Sequence, residues 1–358
     1  MTLTGVRAGR GVEFAALTVA RVDRLCADAV AITFEVPEEL AGRYAFRAGQ
    51  ALTVRAVVEG REERRSYSIC SPEGGALRIG VREIPGGVFS TWLVRRVRAG
   101  DRVEAAPPAG GFVADLERPA HHVFVAAGSG ITPVLSIAAT ALHCPGSRVT
   151  LFYGNRSAAT VMFAEELADL KDSAPARVHL VHVFSREARG AELLTGRLDP
   201  PRLRALLPAL TPVAEVGHWW LCGPYAMVTG ARQVLAGLGV PAARIHQELF
   251  YVEDPPARAP AGEPRAGASE VTAVLDGRAT TVTAGGGVTV LEAVRRVRPE
   301  VPFACTGGVC GTCRAKVLEG RAGMRRDYAL DPAEIRAGYV LTCQAVPATP
   351  RVIVDYDA

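Results

Sequence analysis

Charge of one sign is what this sequence has least of. Its 41 basic and 37 acidic residues leave a net charge of +4, which implies neither a nucleic-acid footprint nor a charged membrane face. Nearly all the basic residues are arginine, a compositional habit. An apolar leader is also missing. Residues 1–14 are polar and glycine-containing, without the hydrophobic region of a secretory signal. A reducing cytoplasm is therefore expected, and the eight cysteines do not read as a secreted disulfide scaffold. No stretch reads as a membrane span: Val123 to Leu142 is uncharged and long enough, but Gly128-Ser129-Gly130-Ile131-Thr132-Pro133 at its centre would break such a helix. The histidines (His121, His122, His143, His179, His182, His218 and His246) lack ligand spacing, and none is assigned to catalysis.

What is present begins with sulfur. Cys305, Cys310 and Cys313 stand in C-x4-C-x2-C spacing, answered by a distant Cys343. Four thiolates can hold two irons and two sulfides, and this spacing is that of a plant-type [2Fe–2S] centre. Gly307, Gly308 and Gly311 let the loop turn tightly and leave amides free to face the sulfides. A structural zinc site is the competing expectation, since it also favours Cys-x-x-Cys, although it usually draws on two close pairs. The other cysteines, Cys26, Cys70, Cys144 and Cys222, are scattered.

A length of 358 residues and 49% apolar content call for roughly two or three cores. The fold class expected is multidomain. Residues 13–117 alternate apolar and polar in short runs punctuated by Gly and Pro, which predicts an antiparallel β-barrel. Residues 118–251 change to strands alternating with helices, which predicts an α/β domain on a parallel sheet with ligands at the carboxyl ends of the strands. Residues 252–268 are dense in Pro, Ala and Gly and read as a linker. Residues 269–358 predict a small mixed sheet, opening with a hairpin around Asp276-Gly277.

Several loops carry candidate chemistry. Arg65-Ser66-Tyr67-Ser68 sets a cation and a ring on one face of a strand and a hydroxyl on the other; an ordinary strand with exposed polar residues is the bland alternative. Gly87-x-x-Ser90 opens a helix, as a phosphate-binding turn does. Gly128-x-Gly130 ends a strand and opens a helix with Thr132 and Pro133, a place for a pyrophosphate, although the third glycine of the usual fingerprint is missing. Arg156 and Ser157 suit a 2′-phosphate and hence NADPH over NADH, or else simply cap the next helix. Cys222-Gly223-Pro224 could stand beside a nicotinamide ring, or Cys222 could be a core residue.

With these residues in place, the chain from Phe14 to Ala358 resembles the ferredoxin–NADP reductase superfamily with a plant-type ferredoxin fused at its carboxyl end. The resemblance implies an FAD-binding barrel, an NADP-binding α/β domain and a β-grasp (α+β) ferredoxin domain. It implies that Arg65 meets the FAD pyrophosphate, Tyr67 stacks on the isoalloxazine and Ser68 lies near N5, with Gly87 and Ser90 forming the pyrophosphate turn. Pro108-x-Gly110-x-Phe112 looks like the strand that ends the barrel. Gly128, Gly130, Thr132 and Pro133 match the nucleotide loop, and Cys222, Gly223 and Pro224 the nicotinamide side. Gln247-Glu248-Leu249-Phe250 is similar to the closing strand, with Glu248 beside the flavin. Tyr67, Ser68, Cys222 and Glu248 are thus the implied catalytic set. The cluster ligands implied are Cys305, Cys310, Cys313 and Cys343.

The wording of residues 65–70, 153–156, 304–313 and 338–345 is similar to reductases of the phenylacetyl-CoA 1,2-epoxidase group, with those of 3-ketosteroid 9α-hydroxylase close behind. The partner so implied is an oxygenase component, a di-iron multisubunit phenylacetyl-CoA epoxidase, receiving electrons that pass from NADPH through FAD and the [2Fe–2S] centre. A redox sensor, or a diaphorase serving small acceptors, is the alternative.

Overall fold

Alternation along the first strands decides the first domain. In this computed structural model, which describes residues 13–188, 190–250 and 267–358, six strands form one antiparallel sheet. They are β1 (Ala15–Cys26), β2 (Ala29–Glu35), β3 (Ala51–Val58), β4 (Arg61–Ser68), β5 (Arg78–Arg82) and, after helix α1 (Val88–Arg95), β6 (Arg102–Ala105). Their order is β4-β3-β6-β1-β2-β5, and a bridge from Ile69 to Ile79 joins the two ends. The sheet therefore closes on itself. Leu17, Val19, Ile32, Leu52, Val54, Ile79 and Val103 fill its interior, and each such side chain contributes about 1.5–3 kcal/mol on burial. Helix α1 turns Phe89, Leu93 and Val94 into the same core.

The expected terminal strand at Pro108-x-Gly110-x-Phe112 is instead a single bridge, Ala51 to Ala109. Consecutive prolines at 107 and 108 offer no N–H to a ladder, so pairing cannot extend.

The second domain comprises β7 (His121–Ala127), α2 (Ile131–His143), β8 (Arg148–Asn155), α3 (Ala164–Ser173), β9 (Val178–Phe184), α4 (Pro200–Leu210), β10 (His218–Gly223), α5 (Tyr225–Gly237) and β11 (Ile245–Leu249). All strand pairs are parallel, in the order β11-β10-β7-β8-β9. The chain winds outward from β7 to β9 and then restarts at β10 on β7's other side. The strand order reverses between β7 and β10, and open α/β sheets bind ligands outside the carboxyl ends of their strands at such a switch point. Strands buried on both faces read as continuous apolar runs, and β7 is buried from His121 to Ala126.

Barrel and α/β domain belong to one compact unit. Their shared core holds Ala31, Cys70 and Phe112 from the first with Ile131, Phe163 and Trp220 from the second. Phe112 meets Trp220 edge to face at 5.2 Å, and Ser136 Oγ donates to Ser71 O at 2.6 Å. Arg78 reaches Glu166 of α3 at 3.0 Å and Asp23 of β1 at 3.3 Å.

The second unit, described from residue 267 onward, is built by itself. It contains β12 (Ser269–Leu275), β13 (Arg278–Ala284), α6 (Val290–Arg295), β14 (Arg314–Glu319), β15 (Ala322–Met324), α7 (Pro332–Arg336), β16 (Tyr339–Leu341), β17 (Ala345–Pro347) and β18 (Arg351–Asp355). Its sheet order is β13-β12-β18-β14-β16, with β12 and β18 parallel and the other pairs antiparallel. Asp276 and Gly277 both have positive φ, the conformation a two-residue hairpin turn requires. Helix α6 packs its Leu291 and Val294 onto this sheet, the β-grasp arrangement, while β15 and β17 form a separate ribbon. All but the last two residues of the expected linker, 252–268, lie outside the described residues.

Candidate functional site

Two loops meet in direct contact at the switch point. A Cβ on Gly130 would lie 2.1 Å from Cys222 O and 2.9 Å from Gly223 N. Only glycine allows that approach, so the Gly-x-Gly loop after β7 rests against the Cys-Gly-Pro loop after β10. Residues Gly128–Gly130 form a short 3-10 turn that runs into α2, and no side chain caps it. Tyr153 Oη donates to Gly128 O at 2.9 Å, and Thr132 Oγ1 donates to Ser129 O at 3.0 Å. The loop's carbonyls are thereby tied to the protein side, and a helix start with uncapped amides suits a phosphate.

Ser68, Cys222 and Glu248 come together from three strands. The β10–β11 register sets Glu248 directly opposite Cys222, and Ser68 Oγ, from the end of barrel strand β4, donates to Glu248 Oε2 at 3.3 Å. Part of Glu248's surface reaches solvent, but its carboxyl lies deep. Burial pushes it up to about 8 against the opposing hydrogen bond from Ser68, so it is mostly protonated at neutral pH. Cys222 is wholly buried; burial, and then Glu248, push its thiol well above the usual range.

The remaining flavin-strand residues sit alongside. Tyr67 stacks loosely on Phe89, with ring centroids 6.4 Å apart, and burial raises its phenol despite Arg65 nearby. Arg65 pairs with Glu63 at 3.0 Å and donates to Arg64 O at 2.6 Å. Ser90 is buried: its Oγ accepts from Ile84 N at 3.1 Å and donates to Gly87 O at 3.3 Å, closing the Gly87 turn on itself.

Arg156 and Ser157 follow β8, beside the Gly128 loop because Ala127 pairs with Gly154. Ser157 N donates to Thr160 Oγ1 at 3.1 Å, in the capping arrangement that was the alternative for this pair. Arg156 is engaged by a residue sequence reasoning missed: its Nη2 lies 2.8 Å from Asp28 Oδ2. Arg82, also missed, reaches Asp28 Oδ1 at 3.2 Å. The partners are far apart in sequence, and only their charge could have hinted at them.

The cluster loop belongs to the second unit. Cys313 and Cys343 are buried, Cys305 is half-buried and Cys310 exposed. The thiols fall in two neighbouring pairs, Cys305 with Cys310 and Cys313 with Cys343. Gly307 N donates to Cys305 Sγ at 3.4 Å and Gln344 Nε2 to Cys343 Sγ at 3.5 Å. The hydrogen bond from Cys310 lowers the Cys305 thiol against the effect of burial, and the amides of Val309, Gly307 and Cys310 add to it. Among the described residues, no three or more Cys, His, Asp or Glu converge on a single ion. Two pairs of thiols with amides aimed at them fit two irons, each needing two thiolates, better than one tetrahedral zinc.

Comparison with known proteins agrees with this layout. Residues 16–113 match the oxidoreductase FAD-binding domain family, 124–233 the oxidoreductase NAD-binding domain and 273–348 the 2Fe-2S iron-sulfur cluster binding domain. The chain is 42% identical over 350 residues to a subunit of the 1,2-phenylacetyl-CoA epoxidase of Escherichia coli (strain K12), covering 96% of this chain and 98% of that one. It is 33% identical over 366 residues to the ferredoxin reductase component of 3-ketosteroid-9-alpha-monooxygenase from Rhodococcus rhodochrous, covering 99% and 100%. Among solved structures, phthalate dioxygenase reductase shares the fold at a TM-score of 0.63 and 25% identity, over 96% of this chain and 98% of that one. The chain is an NAD(P)H-dependent oxidoreductase with FAD and [2Fe–2S] domains. It belongs to the ferredoxin–NADP reductase superfamily, in the branch that carries a [2Fe–2S] ferredoxin domain at the carboxyl end.

Proposed function

We propose that this reductase draws electrons from NADPH and delivers them to the oxygenase component of a phenylacetyl-CoA 1,2-epoxidase, a di-iron enzyme of several subunits. The observation that carries the reading is the meeting of Ser68, Cys222 and Glu248 across two domains, in a chain whose carboxyl unit presents four paired thiols. The 42% identity to the Escherichia coli epoxidase component supports the choice of partner; the 33% identity to the ketosteroid component makes a 3-ketosteroid 9α-hydroxylase the second reading. A flavin, when bound, links a two-electron hydride donor to a one-electron acceptor.

The residues divide the work. Arg65, Tyr67, Ser68, Gly87 and Ser90 would hold FAD. Gly128, Gly130, Thr132 and Pro133 would take the dinucleotide pyrophosphate, Arg156 and Ser157 its 2′-phosphate, and Cys222, Gly223 and Pro224 its nicotinamide. Glu248 holds a proton at its carboxyl near neutrality, with Ser68 donating to Oε2. Cys222 stays a neutral thiol and adds no charge there. Cys305, Cys310, Cys313 and Cys343 would bind the two irons. Among the described residues no helix is long and apolar enough to cross a membrane, and a cytoplasmic setting is proposed.

The test is turnover with the purified oxygenase component. NADPH-dependent oxidation of phenylacetyl-CoA, without steroid turnover by a ketosteroid oxygenase, is expected. The converse pattern would favour the second reading, and neither would overturn delivery to these oxygenases.

A further inference from the structure

Beside the nucleotide loops stands an acid in the wrong place for a phosphate. Strands β1 and β2 are joined by a two-residue turn, since Cys26 pairs directly with Ala29, and Asp28 stands at its tip. Its carboxylate is held by three groups. Arg156 Nη2, from the loop after β8, lies 2.8 Å from Oδ2. Arg82 Nε, from β5, lies 3.2 Å from Oδ1, and Cys26 Sγ donates to Oδ1 at 3.1 Å. Arg82 in turn lies against the Gly-x-Gly loop, because a Cβ on Gly128 would come within 3.2 Å of its Nη1. It also donates to Thr160 O, at the far end of the Arg156 loop. The barrel thus reaches across to the two nucleotide loops through the paired side chains of Asp28 and Arg82.

The consequence concerns cofactor choice. A 2′-phosphate binds an arginine through charge-assisted hydrogen bonds, and a carboxylate competes for the same donors. Arg156 is about half exposed and Asp28 about a quarter, so this pair can open toward solvent, whereas Arg82 is mostly covered. We propose that Asp28 is a specificity-determining residue: it occupies Arg156 in the free enzyme and must yield it to the 2′-phosphate, which narrows the preference for NADPH over NADH. The proposal rests on the NADPH reading above. It also assigns Arg82 as the group that keeps Asp28 once Arg156 lets go.

The test uses the intact flavin- and cluster-loaded protein and the equilibrium binding of 2′,5′-ADP and 5′-AMP, measured by calorimetry. Asp28→Asn keeps the side chain's shape and removes its charge. It is expected to tighten 2′,5′-ADP roughly three- to tenfold while leaving 5′-AMP within about twofold, with the gain shrinking as salt rises. Arg156→Ala is expected to weaken 2′,5′-ADP alone, and adding Asp28→Asn to it should then change little. If Arg156→Ala affects both ligands equally or neither, the 2′-phosphate reading of Arg156 falls and this proposal with it. If Arg156→Ala behaves as expected but Asp28→Asn leaves 2′,5′-ADP unchanged or weaker, only the role of Asp28 is overturned. Asp28→Ser, which also removes the charge, is the second variant should Asp28→Asn fail to fold, and the same outcomes decide it.

Discussion

At the residue scale the most consequential group is Glu248. Its carboxyl is pushed from 4.5 to about 8 by burial, so between those pH values the folded chain binds more protons there than the unfolded chain does. Its contribution to stability is therefore full below about pH 4.5 and is lost as pH rises to about 8. Glu248→Gln, which cannot titrate, should flatten that part of the pH dependence of the unfolding temperature; an unchanged slope would mean the carboxyl is not held protonated. Arg156→Ala should raise the KM for NADPH much more than that for NADH, and equal effects on both in steady-state kinetics would refute its assignment. Ser68 was legible as a strand hydroxyl, but its partner lies 180 positions away. No local pattern reports such a pair, and Glu248 entered only through resemblance. Arg156 was legible as a loop cation, but its pairing with Asp28, 128 positions away, was hinted at by nothing beyond opposite charge.

At the scale of elements the sequence was more informative, because periodicity and turn chemistry are local. The Asp276-Gly277 hairpin, the apolar run of β7 and the breaks at Gly128 and Gly130 could all be read in advance. The bridge at Ala109 and the β15–β17 ribbon could not, since each depends on a distant strand. The Gly128–Gly130 turn supplies a direct prediction. Gly130→Ala would thrust a methyl into the Cys222 carbonyl, which backbone cannot yield cheaply. Nucleotide KM should rise tenfold or more, with a lower unfolding temperature; kinetics like those of the parent protein would show that the two loops are not locked together.

The histidines make a second case at this scale. Lacking ligand spacing, three of them, His122, His218 and His246, nevertheless gather at the opposite end of the sheet. His218 Nδ1 lies 3.0 Å from His246 Nε2, and Trp220 stacks on His246 at 4.2 Å. Burial, and then the neighbouring histidines, lower His122 to about 3; burial and then His218 lower His246 to about 4. Both are neutral near pH 7. The stability they contribute is present above about 6.5 and is lost as pH falls toward their folded values. His246→Gln should soften acid unfolding, as followed by circular dichroism between pH 6.5 and 4. An identical acid limb would contradict the lowered value.

At the scale of the whole molecule, domain order was legible because each domain carries its own chemical signature: an aromatic and basic barrel strand, a Gly-x-Gly loop at a strand end, and a thiol-rich loop. What joins them functionally is a division of labour between the two units. In the proposed reading, hydride acceptance belongs to the unit with the FAD- and NAD-binding domains, where Ser68, Cys222 and Glu248 meet. One-electron delivery belongs, in the same reading, to the [2Fe–2S] domain of the carboxyl unit. The measurement that tests this most directly is a comparison of two activities in the Cys310→Ser protein. NADPH-dependent ferricyanide reduction should stay close to that of the parent chain, while electron delivery to the purified oxygenase component is lost. Equal loss of both activities, or retention of both, would contradict the account.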